Sequence, residues 1–325
     1  MTKNCIPHFH SPYAPLLYNF VEYKRLEGYK YNGEIKELQR LDRYFISLGI
    51  QSPAVSQEML SAWLSKRETE SDKTFSTRNS VYRQLYAYSE KEDGFSLPKP
   101  TNAHEKLHGS GFVPYIFTHK EIKSIFVAAD NLSTGSTSFQ RCAPLLFRLL
   151  YGTGLRINEA LSLRISDISP GCKILLIRQA KNDNFRLVPM ASSLTEHMSN
   201  YLEQMNYSED DYLFQIGSGV PVRKNTAYDW FRECLWKAGI PHKGRGNGPR
   251  MHDLRHTFAV HSLQKAVENG TDINAFLPIL STYLGHQRIS ATERYLRLTA
   301  EAYPLIMREI DSTMKDIIPG VADYD

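Results

Sequence analysis

The sequence predicts a mainly α-helical protein with one small β-hairpin, and three observations support that fold class. Apolar residues recur at helical spacing along most of the chain, which is the pattern of amphipathic helices. One pair of β-prone runs flanks a cluster of turn-forming residues, which is the pattern of a hairpin. A stretch rich in glycine and proline separates the first helices from the rest, and this indicates two domains.

Four short helices are predicted before that stretch. Ser11 followed by Pro12 is typical of a helix start, with the serine as N-cap and the proline at the first helical position. The helices together predict a small bundle over residues 1–94. Their apolar faces consist of Leu16, Leu17, Phe20 and Val21, then Ile35, Leu38, Leu41 and Phe45, then Leu60, Trp63 and Leu64, and finally Val81, Leu85 and Tyr88.

The glycine- and proline-rich stretch predicts a linker over residues 95–112, followed by a second domain over 113–325. In the second domain the β-prone runs are Lys173–Arg178 and Phe185–Pro189, and Lys181 lies near the tip of the hairpin that they form. Helices are predicted at about 192–205, 226–239, 251–269, 272–285, 290–298 and 300–315.

Composition excludes several classes of protein. At 42% hydrophobic and 23% charged residues, the chain is typical of a folded globular protein. No apolar stretch approaches the roughly 18–20 residues of a membrane span, and no signal peptide is recognisable. Four cysteines without a CxxC pair indicate a reducing, cytoplasmic compartment. The net charge of +4 permits a polyanionic partner without requiring one.

Several local patterns could supply reactive groups, although each also has an ordinary structural interpretation. Arg156 follows a glycine-containing turn and starts an apolar helix. Its ordinary structural interpretation is a solvated arginine at a helix start. Lys181 could be a surface lysine. His252 and Arg255 are three residues apart and therefore share one helical face. A lone tyrosine on a helix, such as Tyr295, usually packs in a core or on a surface.

His252 and His256 also resemble a zinc-binding helix, because histidines four residues apart can ligate one metal ion. The usual metalloprotease sequence places a glutamate after the first histidine, and the shorter Asp253 stands there instead. No compelling third ligand follows nearby. We therefore predict no metal and keep a zinc hydrolase as an alternative that sensitivity to EDTA would reveal.

Taken together and in order, these patterns resemble the tyrosine recombinase (phage integrase) superfamily. The matching words are TGLRINEAL, a lysine hairpin ending in RLVP, HDLRHTFA, LGH and TERYL. The resemblance covers about residues 113–300, and the four preceding helices resemble the core-binding domain of the family. The six residues that match the catalytic set of the family, separated by 25, 71, 3, 31 and 9 positions, are Arg156, Lys181, His252, Arg255, His286 and Tyr295.

The resemblance implies a chemistry that these residue types can perform. Arg156 and Arg255 would bind the non-bridging oxygens of a phosphodiester and stabilise the charge that grows in the transition state. Tyr295 would be the nucleophile that forms a 3′-phosphotyrosyl link. His252 would assist removal of the tyrosine proton, and His286 would add a hydrogen bond or shuttle a proton.

Further residues are expected around this set. Lys181 would be the general acid that protonates the leaving 5′-oxygen, and Glu159 would support the site structurally. A glycine-rich basic stretch directly before His252 predicts contacts to the DNA backbone from Lys243, Arg245 and Arg250, with an ordinary flexible loop as the alternative.

The resemblance therefore implies a site-specific recombinase that needs no ATP, metal or other cofactor. Its partner would be double-stranded DNA with specific recombination sites, on which four copies would act through a Holliday junction, with a partner recombinase or accessory factor left open. About ten residues precede the first predicted helix, which leaves no room for an arm-binding domain and favours a simple two-domain enzyme. The expected role is integration, excision or transposition of a mobile element in the cytoplasm at the nucleoid. The alternatives are a chromosome-dimer resolvase of Xer type, a type IB topoisomerase and a non-catalytic DNA-binding protein.

Overall fold

The computed structural model describes residues 7–100, 113–131, 137–178, 185–217, 219–242, 244, 248–286 and 288–302. The chain divides into two compact units, Met1–Phe112 and Val113–Asp325. Both are built mainly from helices, and a two-stranded antiparallel sheet lies in the second unit. This architecture confirms the predicted fold class.

The first unit is a bundle whose helices bury the apolar faces predicted for them. Leu17, Leu38, Leu60 and Leu85, one from each helix, are fully buried in a shared core. Burying each of these leucines contributes about 1.5–3 kcal/mol to stability. The helices are α1 (Ala14–Leu26), α2 (Asn32–Ser47), α3 (Gln57–Leu64) and α4 (Asp72–Ser89).

Two local expectations for the first unit need correction. Ser11 is not the N-cap of α1, because the helix begins at Ala14 and Tyr13 occupies the cap position. The Ser11 backbone N–H instead donates to the Asp42 carboxylate at 3.0 Å, which ties this turn to α2. The start of the predicted linker is also packed against the bundle, since Leu97 is buried in its core and the Tyr82 hydroxyl donates to the Pro98 carbonyl at 2.6 Å.

In the second unit, the other helices pack around one long apolar helix, Thr137–Thr153. The strands of this unit pair with Leu175 opposite Val188, and both of these side chains are buried. The helices predicted at 290–298 and 300–315 are not separate up to residue 302, because one helix spans the break. The elements are α5 (His119–Asn131), α6 (Thr137–Thr153), α7 (Ile157–Leu161), β1 (Ile174–Arg178), β2 (Phe185–Pro189), α8 (Ser192–Glu203), α9 (Lys224–Lys237), α10 (Asp253–Glu268), α11 (Ile273–Leu284) and α12 (Ser290–Ala302).

Helix α6 organises this unit, because it packs against α5, α8, α9 and α10. Its central side chains Leu146, Phe147 and Leu149 are fully buried. A second apolar cluster joins α10, α11 and α12 and includes the ring of Tyr295. The C-terminal ends of α6 and α11 therefore meet the first turn of α10 beside α12. Over the described ranges, none of the helices combines the length and the apolar character needed to cross a bilayer.

Candidate active site

The turn between α6 and α7 depends on Gly154. Its φ of +60° lies in the left-handed region, which strains residues that have a side chain. A Cβ at this position would also lie 2.5 Å from the Phe258 ring and 2.7 Å from Leu284. Glycine is therefore required here for both conformation and space, and it brings the start of α7 close to α10 and α11.

Arg255 connects the three segments that meet at this turn. Its guanidinium donates to the Gly154 carbonyl at 2.7 Å and to the Leu284 carbonyl at 2.8 Å. The side chain is buried, with 2% of the residue exposed. Burial and the positive charge of Arg156 lower the pKa of the guanidinium to about 10, so it still carries its charge at neutral pH. Arg255 thus places a fixed positive charge at the centre of the site.

Arg156 occupies the N-cap position of α7 and is more accessible, with 41% of its side chain exposed. Its guanidinium donates to the Gly285 carbonyl at 3.2 Å and to Glu159 at 2.9 Å. Gly285, at φ +69°, ends α11 in a left-handed cap. The two arginines are therefore anchored on adjacent carbonyls, those of Leu284 and Gly285.

Glu159 is held between two arginines. Its carboxylate accepts from Arg156 and also from Arg186, whose two terminal nitrogens lie 3.1 and 2.9 Å away. Burial alone would raise the pKa of the carboxyl, but the hydrogen bonds from Arg186 and from the Arg156 backbone lower it to about 2. Glu159 is therefore ionised throughout the physiological range.

Arg186 was not among the residues expected from the sequence. It lies on β2, its side chain is 9% exposed, and its Nε donates to the Tyr283 carbonyl at 3.0 Å. Arg186 thus connects β2 to the end of α11 and to Glu159. Strand residues two apart point to the same face, and Arg186 shares a face with the buried Val188. The apolar Phe185 and Leu187 on the other face are exposed, so the apolar pattern of the strand did not indicate its buried face.

Three histidines surround the tyrosine of α12. The Nδ1 of His256 lies 3.1 Å from the Tyr295 hydroxyl, and the His252 ring meets the His256 ring edge-on at 4.8 Å between centroids. The His286 ring stacks against Tyr295 at 6.0 Å, and its Nδ1 lies 2.8 Å from the Thr292 hydroxyl. Tyr295 itself is 3% exposed. His256 entered the sequence analysis only as a zinc-ligand candidate, so its contact with the phenol is a second feature that was missed.

Burial determines the protonation of these groups. It lowers the pKa of His252 and of His286 to about 4 and that of His256 to about 3, and the nearby positive charges act in the same direction. The three imidazoles are therefore neutral at pH 7. Burial raises the pKa of the Tyr295 phenol, while the charge of Arg255 and a hydrogen bond from it act in the opposite direction.

The structure brings together five of the six residues of the expected catalytic set. Arg156, His252, Arg255, His286 and Tyr295 interact directly or through their electrostatic fields. Lys181 lies outside the described residues.

Of the expected DNA-backbone contacts, Lys243 and Arg245 also lie outside the described residues. Arg250 donates to Asp253 from its backbone at 2.7 Å and from its guanidinium at 3.1 Å. In the described part of the chain, no group of three His, Cys, Asp or Glu side chains could hold a metal ion. His256, one half of the suggested zinc pair, faces the phenol of Tyr295.

The mostly helical fold and this set of side chains define a class of enzymes that cleave and rejoin DNA through a phosphotyrosine intermediate. The family model of the phage integrase family matches residues 116–302. The chain belongs to this family, and it is a site-specific recombinase of the tyrosine type.

Curated relatives match over most of the chain. A putative integrase/recombinase, y4rB, of Sinorhizobium fredii is 26% identical over 319 residues, covering 94% of this chain and 99% of that protein. The tyrosine recombinase XerA of Pyrococcus horikoshii is 28% identical over 293 residues, covering 89% and 90%. In fold, the chain is similar to the XerH site-specific recombinase bound to its difH substrate, with a TM-score of 0.65, 22% identity, and coverage of 87% and 78%.

Proposed function

We propose that this site breaks a DNA phosphodiester by attack of the Tyr295 hydroxyl, which forms a 3′-phosphotyrosyl link and releases a 5′-hydroxyl. The supporting observation is that the buried phenol hydroxyl lies 3.1 Å from His256 Nδ1, while the positive charges of Arg255 and Arg156 act to lower its pKa. A phenol with a pKa near 10 is a weak nucleophile at pH 7 unless its proton is removed and its charge is stabilised. The surroundings of Tyr295 offer groups for both tasks.

Arg156 and Arg255 would bind the scissile phosphate. A guanidinium has five N–H donors in a planar fork, so Arg255 keeps donors for the phosphate after binding two backbone carbonyls. The exposed part of Arg156 can reach a backbone that lies on the surface of the unit. The two positive charges would offset the repulsion between the anionic phosphate and the attacking oxygen and stabilise the transition state.

The remaining catalytic roles rest on the family resemblance and on residue chemistry. Lys181, which lies between β1 and β2 in the sequence, would protonate the leaving 5′-oxygen. His252 would assist removal of the tyrosine proton, and His286 would add a hydrogen bond or shuttle a proton. Because the phosphotyrosine conserves the energy of the broken bond and guanidiniums supply the electrostatic stabilisation, the reaction proceeds without ATP, metal or other cofactor.

DNA binding would involve both units. The helical bundle of the first unit would act as a core-binding domain. Cationic side chains before α10, namely those of Lys243, Arg245 and Arg250, would contact backbone phosphates, which makes affinity dependent on salt. Four copies would assemble on two recombination sites and exchange strands through a Holliday junction.

The favoured biological role is integration, excision or transposition of a mobile element, carried out in the cytoplasm at the nucleoid. A full-length relative described as a putative integrase/recombinase supports this role. Chromosome-dimer resolution is the second candidate, supported by the XerA relative. The sites that the protein recognises distinguish the two roles, because an element end and a chromosomal site differ in genomic position.

A two-site exchange assay tests the proposal. The substrate is a supercoiled plasmid with two copies of the DNA that flanks the gene, incubated with EDTA and without ATP. We expect recombinant circles, severe loss of cleavage with Arg156→Ala and Arg255→Ala, and retained activity with Arg232→Ala, which removes an exposed arginine of α9. Relaxed plasmid without recombinants indicates topoisomerase activity and contradicts the proposed strand exchange. Loss of activity in EDTA indicates a metal-dependent reaction and contradicts the proposed metal-free cleavage.

A further inference from the structure

We infer that His256 is a further catalytic residue, the group that accepts the Tyr295 proton during cleavage and returns it during rejoining. This inference rests on the proposed function, because it assigns a proton path to the same nucleophile. The observation that supports this inference is the 3.1 Å contact between His256 Nδ1 and the Tyr295 hydroxyl.

The tautomer of His256 determines the direction of the phenol proton. A neutral imidazole carries one proton, and its other ring nitrogen is an acceptor. When the proton of His256 is on Nε2, its Nδ1 accepts the O–H of Tyr295 across the 3.1 Å contact. The positive charge of Arg255 acts to lower the pKa of the phenol.

The other two histidines are placed differently. The His286 ring lies nearly parallel to the Tyr295 ring, with an interplanar angle of 19°, so it presents its face to the tyrosine. Its Nδ1 contacts Thr292. His252 contacts the edge or face of His256 in a perpendicular arrangement, with an interplanar angle of 86°. His256 is thus the histidine whose nitrogen meets the reacting oxygen in the described contacts.

The protonation state of His256 suits this role. Burial lowers its pKa to about 3, so at neutral pH the ring is unprotonated and can accept the hydrogen bond of the phenol, but it is a weak base before substrate binds. When the negative phosphodiester binds beside the site, it favours the positively charged imidazolium and raises the basicity of the ring. The titratable or charged groups that face His256 are His252, Arg250, Arg255, Arg294 and the phenol itself.

The step balances in atoms and charge. The Tyr295 O–H bond breaks and the proton forms a bond to His256 Nδ1, while the phenol oxygen bonds to phosphorus and the bond from phosphorus to the 5′-oxygen breaks. The leaving oxygen takes a proton from the general acid, proposed above to be Lys181. In rejoining, the incoming 5′-hydroxyl bonds to phosphorus and gives its proton to the general acid that was deprotonated during cleavage. The bond from phosphorus to the phenol oxygen breaks, and the His256 imidazolium returns its proton to that oxygen.

The alternative is a purely structural role for His256, in which its hydrogen bond only holds the buried phenol in place. His256→Asn separates the two roles, because the asparagine amide oxygen can accept a hydrogen bond near the position of Nδ1 but cannot take up the proton. His261→Asn is the matched control. His261 is a buried histidine on the same helix whose Nδ1 contacts the Tyr151 hydroxyl at 2.9 Å.

The experiment measures single-turnover formation of the covalent adduct on a nicked substrate with either a 5′-oxygen or a 5′-sulfur leaving atom. Sulfur leaves without a proton, so it compensates for a missing acid and not for a missing base. We expect His256→Asn to slow the reaction about 10²–10⁴-fold on both substrates. Its rate should rise with pH up to pH 9, while the wild-type rate is flat between pH 6 and 8. His261→Asn should react at the wild-type rate.

A second variant guards against a folding defect. Added imidazole should raise the rate of adduct formation by His256→Ala at least tenfold. The DNA binding and the melting temperature of both variants are measured in parallel, so that a folding defect is recognised. A His256→Asn rate within threefold of wild type, or recovery on the sulfur substrate, overturns the inference. If Tyr295→Phe abolishes the adduct in the same experiment, the proposed function nevertheless stands. An adduct that persists in Tyr295→Phe contradicts both.

Discussion

Removing the Arg186 side chain should destabilise the second unit more than removing any exposed arginine. Arg186→Ala leaves the Glu159 carboxylate, a largely buried charge, with Arg156 as its remaining arginine partner. It also removes the hydrogen bond from Nε to the Tyr283 carbonyl. The hairpin then loses its polar connection to the end of α11, where Gly285 anchors Arg156.

The magnitude follows from the pKa of Glu159. Its fall from 4.5 to about 2 corresponds to about 3.4 kcal/mol of stabilisation at pH 7, at about 1.36 kcal/mol for each pKa unit. Arg156 is substantially exposed and solvent screens its share, so the better-buried Arg186 accounts for the larger part, about 2 kcal/mol. The lost bond to Tyr283 adds about 1 kcal/mol, which gives a total of about 3 kcal/mol.

The pH dependence of this effect has a definite sign. The folded-state pKa of Glu159 is depressed, so its stabilisation is present above the ordinary value of 4.5 and is lost as the pH falls toward about 2. At pH 3, about 1.4 kcal/mol of the 3.4 kcal/mol should remain. The difference in stability between wild type and Arg186→Ala should therefore shrink below pH 4.5 and stay constant between pH 6 and 8.

Urea unfolding followed by tryptophan fluorescence measures this difference. The chain has three tryptophans, and in a Trp63→Phe background the remaining two, Trp230 and Trp236, both report on the second unit. The control is Arg232→Ala, which should change the free energy of unfolding by less than about 0.5 kcal/mol. A loss below about 1 kcal/mol for Arg186→Ala at pH 7, or a difference that grows as the pH falls, would refute the electrostatic account of Glu159.

Three further predictions concern the site and its support. Gly154→Ala should lower the free energy of unfolding in urea by at least about 2 kcal/mol and slow cleavage, because the new methyl group meets α10 and α11 at a positive φ. The control Gly217→Ala, at φ +67° with open space around it, should lower it by about 1 kcal/mol. Equal losses would argue against the steric contact. Leu146→Ala should cost about 2–5 kcal/mol because this α6 side chain is fully buried, and a cost under 1 kcal/mol would contradict its place in the core. Arg255→Lys should slow adduct formation at least about tenfold while site binding changes little, because a single ammonium cannot bridge two carbonyls and a phosphate; a near-normal rate would contradict its role.

Periodicity was sufficient to predict the fold class and the strands. The β-prone runs on either side of a turn-forming cluster predicted β2 at Phe185–Pro189, where the structure has it, and helical spacing placed the buried faces of α1 to α4. Helix starts were harder to predict. Ser11 has the residue type of an N-cap, but its backbone N–H binds the Asp42 carboxylate 31 residues away, and such a tertiary contact leaves no local signal.

The site shows the same division between local and long-range information. Order and spacing gave the residues of the expected catalytic set, and five of them lie in one cluster. Arg186 and His256 were missed because their partners, Glu159 and Tyr295, are 27 and 39 residues away in sequence. Which of two neighbouring histidines reaches the phenol depends on the packing of α10 against α12, and spacing within α10 does not specify it.

The most direct measurement identifies the residue that becomes attached to DNA. The wild-type protein is trapped on a nicked substrate, digested with protease and nuclease, and the peptide that retains a nucleotide is sequenced by tandem mass spectrometry. The account predicts a 3′-phosphonucleotide on Tyr295, and no adduct from Tyr295→Phe although this variant still binds the substrate. A nucleotide on any other residue, or an adduct that survives in Tyr295→Phe, would contradict the account.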